Sequence, residues 1–165
     1  MALNSRELSS EFRRVLQRSR NTSDGVLKDM ALAYQKYANG GMAGSARPVF
    51  VGREYEKIRS FLRPIVMSMA TVNPYSISSA WGAGLSSFWL APPVSFISKD
   101  GLFIGVVSFV NVPLVVPMIT ALYSKMNSVE EFSSRMASVL DVFTRSVIVM
   151  VTNTTTGVTV PLPLV

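Results

Sequence analysis

Apolar residues recur at helical spacing along much of this chain, and the stretches between them are marked by residues that start or stop helices. Asn4 with Glu7 has the form of a capping box, and Leu8, Phe12, Val15 and Leu16 follow on one face, which predicts a helix over 5–19. A second helix is expected from Ser23 or Asp24, with Leu27, Met30, Ala31, Tyr34 and Tyr37 on one side, ending at Gly40 and Gly41 where glycine can turn left-handed. Residues 39–48, NGGMAGSARP, read as a loop. The third helix, 53–70, has the clearest period: Tyr55, Ile58, Phe61, Leu62, Ile65, Val66 and Met69, with Pro64 expected to kink or divide it.

Asn73-Pro74 reads as an N-cap followed by proline at the first helical position, opening a fourth helix that ends near Leu90. Ile77, Trp81, Leu85 and Phe88 form its apolar face, and Ala80, Gly82, Ala83 and Gly84 give it a side on which another helix can approach closely. Pro92 and Pro93 terminate it, because a residue before proline is pushed out of the helical region. Residues 94–98 and 102–109 then read as two strands joined by Lys99-Asp100-Gly101. Ser128 with Glu131 is a second capping box, for a helix over 129–145 that buries Val129, Phe132, Met136, Val139, Leu140 and Phe143. A strand at 147–152 and a return strand around 157–161 follow, and PLPLV is expected to lie extended along a neighbouring surface, since its prolines lack donors.

The fold class expected from this pattern is α+β: a mainly helical single domain over 1–152, a small antiparallel β element, and an extended C-terminal strand or arm over 153–165. Charge changes the picture in two ways. Only 16% of residues are charged, against roughly 25% in ordinary soluble domains. Such a surface is commonly covered by a partner in use. Moreover, residues 1–63 carry twelve Lys or Arg against six Asp or Glu, so the whole excess of +6 lies there, while 64–165 is balanced. Arg13, Arg14, Arg18 and Arg20 are therefore the candidates for contact with a polyanion, packaged DNA included.

Residues 101–124 hold no charge over a length that would span a membrane, but Asn111, Pro113 and Pro117 argue against a spanning helix. The amino-terminal stretch MALNSRELSSEF lacks the apolar block of an export signal. There is no histidine and no cysteine, which removes thiol and imidazole catalysis and the usual zinc and haem ligands. No calcium loop or phosphate loop is present, and a serine nucleophile would have only lysine as base; Ser98-Lys99 and Ser124-Lys125 are adjacent pairs with no further pattern. No catalytic residue, cofactor or metal is expected, and the chain is read as no enzyme.

With the fourth helix, FWLAPPV at 88–94, the following strand, a capped helix and a Val/Thr-rich tail in place, the order resembles small virion structural proteins of tailed double-stranded DNA bacteriophages. In such chains a pair of N-terminal helices, a helix running into an FWL-x-PPV-like phrase and a closing β-branched strand are expected. The resemblance covers most of the chain in pattern, with FWLAPPV its specific phrase; the basic first half departs from it. It implies a non-enzymatic subunit at the neck, tail or capsid, made in the host cytoplasm and resident in the virion, whose partners are copies of itself and other virion proteins. Trp89, Pro92, Pro93, Val158, Val160 and Leu162 are the candidate subunit contacts, with Trp89 placed either in the core or at the contact; Trp81, Phe88 and Trp89 could stack on a base or a sugar, but an aromatic stripe at helical spacing reads first as core. A membrane protein using 101–124 and a basic nucleic-acid-binding protein are the alternatives.

Overall fold

The computed structural model describes residues 3–18, 22–68, 73–125 and 127–165. Six helices and five strands follow in the order α1 (Ser5–Gln17), α2 (Ser23–Ala38), β1 (Ala46–Val49), α3 (Tyr55–Ser68), α4 (Pro74–Leu90), β2 (Ser95–Ser98), β3 (Phe103–Phe109), α5 (Val112–Tyr123), α6 (Val129–Arg145), β4 (Ile148–Asn153) and β5 (Thr159–Pro163). The α+β class, mainly helical in one domain with a small antiparallel sheet, is what the chain adopts.

Each helix packs on the next and α6 returns to α1, so the bundle forms a closed circuit. The caps set its boundaries. The Asn4 side chain accepts from the backbone N–H of Glu7, Asn73 from those of Tyr75 and Ser76, and Ser128 from that of Glu131. Helix α4 sits between α3 and α5 on its glycines. A Cβ at Gly84 would lie 2.9 Å from the Ile58 Cα, and one at Gly82 2.8 Å from the Val116 Cγ2. The small-residue side read from the sequence thus packs within the chain. Phe12, Tyr34, Ile58, Trp81, Leu85, Phe88, Ile119 and Leu140, from all six helices, are wholly buried.

The sheet has the order β1-β2-β3-β4-β5, antiparallel throughout. Two expectations change here. The loop expected over 39–48 contains β1, whose Ala46 and Pro48 lie opposite Ser98 and Phe96. Helix α2 does not end in a left-handed glycine: Gly40 and Gly41 bond back to the carbonyls of Tyr37 and Ala38, and neither is among the glycines with positive φ. Gly41 serves for proximity instead, since a Cβ there would lie 3.4 Å from Leu3 and 3.6 Å from Leu164.

Two further expectations are refined. Helix α3 runs through Pro64 as one helix, and of its predicted stripe only Tyr55, Ile58 and Leu62 are buried; Phe61 is exposed and Met69 lies outside the described residues. The uncharged stretch 101–124 divides into β3 and the 12-residue α5, and among the described residues no helix is long and apolar enough to cross a membrane.

Candidate assembly site

The closing residues form β5, an edge strand whose placement follows from its prolines. Asn153 donates to the Val158 carbonyl, which fixes Val160 and Leu162 as the residues that exchange hydrogen bonds with Val151 and Val149. Pro161 and Pro163, opposite Met150 and Ile148, therefore turn their nitrogens away from β4. A proline is tolerated only at such outward positions. The segment lies extended, as expected, but along β4 of its own chain, and residues 153–165 belong to the same sheet as the rest of the domain.

Beyond β5, Val165 and Met42 exchange two backbone bonds of 3.0 Å, and Ala43 pairs with Ala46 at the start of β1. Residues 42–46 thus tie one edge of the sheet to the other. Gly44 makes the turn at φ +62°. The seam is shut at Met42–Val165 and leaves an apolar cleft of about 440 Å³ between the 43–45 turn and β5. Phe103 and Val151 line it from the sheet, and Val158, Val160 and Leu162 from the closing segment, with Asn153 and Thr156 as polar neighbours. Val158 is 58% exposed and Val160 43%. The structure brings three of the sequence-chosen contact residues to one cleft.

The other three separate. Trp89 is corrected from a contact residue to a core residue: it is 0% exposed, and its indole N–H donates to the Tyr34 hydroxyl at 3.0 Å. The Tyr34 hydroxyl is 2.9 Å from the Thr144 Oγ1, which itself donates to the Leu140 carbonyl at 2.7 Å. Because Thr144 has spent its proton, Tyr34 donates to it. The relay joins α4, α2 and α6 with every member satisfied. Burial holds the Tyr34 hydroxyl's pKa well above the ordinary phenol range, with the Thr144 and Trp89 hydrogen bonds only partly offsetting it. Trp81 and Phe88 are equally buried, so none of the three rings is placed to stack on an external base.

Pro92 and Pro93 remain on the surface, at the corner where α4 ends and β2 begins. The Trp89 carbonyl accepts from the Val94 N–H at 2.9 Å across this corner, and the Ala91–Pro92 bond is cis. The corner stands at one end of the sheet. The turns at 99–102 and 154–158 stand at the other, where Thr154 donates to the Leu102 carbonyl at 2.8 Å.

The outer face of the sheet carries Val49, Ile97, Ile104, Val106 and Phe109, each 43–52% exposed. Arg47 is the only charged residue in the five strands.

Three of the four arginines read as a polyanion surface face carboxylates within the chain. Arg13 lies 3.7 Å from Glu130, Arg14 pairs with Glu11, and Arg18 lies 3.7 Å from Asp29. Each keeps about half its side chain in water, so these pairs bind weakly, but each cation already faces a carboxylate. Arg20 lies outside the described residues. Two serines beside lysines are also committed: the Ser98 hydroxyl donates to Asp100 and Ser124 to the Thr120 carbonyl. Among the described residues no group of His, Cys, Asp or Glu could hold a metal ion.

Sequence reasoning missed the seam and the relay. The signal for the first was local, small residues at 43–46 around a glycine; for the second there was none, because Trp89 and Tyr34 are 55 positions apart. No protein-family model, no curated protein and no solved structure matches this chain.

Proposed function

We propose that this chain is a non-enzymatic structural subunit of a bacteriophage particle, at the neck, tail or capsid, which works by assembling with copies of itself and other virion proteins. The observation that carries the reading is the sheet half of the molecule, whose outer face is apolar, open to solvent and charged only at Arg47. A monomer rarely leaves so much uncharged apolar surface uncovered. The paired arginines on α1 make the nucleic-acid alternative the weaker one. The phage assignment rests on the resemblance of the FWLAPPV phrase and the order of elements around it.

Electron microscopy of the purified chain tests the assembly part. Closed particles of one size, containing several copies, are the expected result. A field of single small particles at every concentration would remove self-assembly from the account.

A further inference from the structure

We propose that the Ala91-Pro92-Pro93 corner of one copy seats in the seam cleft of the next, giving a head-to-tail contact. The inference rests on the self-assembly reading and adds to the apolar outer face a second contact with its own surfaces and partner.

Four observations lead to it. First, each copy carries +6, so copies repel unless they meet through neutral surface, and both the corner and the cleft lining are uncharged. Second, the cleft is concave and apolar, and a guest that carries backbone donors would leave them without partners. Two consecutive prolines bring no N–H at all, and their carbonyls need only donors, which the Asn153 and Thr156 side chains at the cleft can supply. Third, the occupant of the cleft is not an added strand. A strand laid along the free edge of β5 would find no donor at Pro161 or Pro163, so the carbonyls it pointed there would go unpaired. A protruding corner needs no such ladder.

Fourth, corner and cleft belong to different strands: the corner leads into β2 and the cleft runs along β5, with β3 and β4 between them in the sheet, roughly 14 Å across three strand spacings. One chain cannot bring them together. Two different surfaces that meet between copies make a heterologous contact, which closes into a ring when the rotation per copy divides a full turn. At about 440 Å³ the cleft is within the size range of small binding pockets and too small for a helix.

The test uses the full chain and light scattering behind a sizing column. Val158→Glu puts a charge in the cleft, and Ala91→Glu puts one on the corner; both positions are exposed, so the fold should hold, and circular dichroism checks it. Each variant alone should fall from the wild-type mass to a monomer. Mixed one to one, they should form a dimer and nothing larger, because exactly one intact corner and one intact cleft remain.

A second measurement exploits the lack of native cysteine. Oxidising a mixture of Ala91→Cys and Val158→Cys chains should link them in pairs, and neither alone should link. Wild-type mass in both glutamate variants, or ready linking of Ala91→Cys to itself, would overturn the corner-in-cleft contact and leave self-assembly standing. A wild-type chain that is monomeric throughout would overturn both.

Discussion

Replacing Gly84 by alanine sets two effects of similar size against each other, and the structure decides which wins. Alanine is favoured over glycine inside a helix by about 1 kcal/mol. Against this, the new methyl would sit 2.9 Å from the Ile58 Cα and 3.3 Å from its carbonyl oxygen. These are backbone atoms of α3 and cannot rotate aside. To restore ordinary contact, α3 and α4 must separate by roughly half an ångström or more along a tightly packed interface, and overpacking of this kind costs about 1–3 kcal/mol. The net is a loss of up to about 2 kcal/mol, or a melting temperature lowered by up to about 8 °C for a chain of this length.

Gly82→Ala is the control. Its methyl would meet side chains, the Val116 Cγ2 at 2.8 Å and the Val112 Cγ1 at 2.9 Å, which can shift on the half-buried face of α5. It should therefore cost less than Gly84→Ala. The assay is thermal unfolding followed by circular dichroism, with urea titration as a check. A Gly84→Ala protein that melts at or above the wild type, or below which Gly82→Ala melts, would refute the close α3–α4 approach.

Three other outcomes follow from polar groups in the core or packed against it. Tyr34→Phe leaves the Trp89 N–H buried without an acceptor and should cost about 1–3 kcal/mol; an unchanged urea midpoint would contradict the relay. Ser133→Ala should stabilise the protein slightly, by about 1 kcal/mol, because the Ser133 hydroxyl is buried with no hydrogen-bond partner among the described residues; a clear loss of stability would show a partner there. Burial pushes the Tyr123 hydroxyl up to about 12 from 10, partly offset by its bond from Trp81. The folded pKa lies above the unfolded one, so this contribution is complete below pH 10 and is lost as pH rises toward 12. Urea midpoints should fall over that window, and less so in Tyr123→Phe; parallel profiles for the two proteins would count against it.

The parts of the fold that were legible in the sequence are those set by local chemistry. Asn4, Asn73 and Ser128 cap helices from side chains within three residues of the groups they satisfy. Pro92 and Pro93 stop α4 for a reason contained in two adjacent residues. What was hidden depends on distant partners. Strand β1 is four residues long and exists because Ser95–Ser98 lies beside it. Gly41 is fixed by packing against Leu3 and Leu164, from opposite parts of the chain, rather than by a turn.

The candidate contact residues divided the same way. Val158 and Val160 were chosen as β-branched residues of an uncharged tail and stand exposed in the cleft. Trp89 was chosen as a large aromatic beside a proline corner, and a tyrosine from α2 holds it in the core.

The central claim is that this chain assembles with itself through neutral surface. The mass of the wild-type chain, measured by light scattering over a range of concentrations in detergent-free buffer, tests it most directly. A discrete oligomer that persists as salt is raised is the predicted result, since an apolar contact between uncharged surfaces is not screened. A monomer at all concentrations, in low and in high salt, would contradict it.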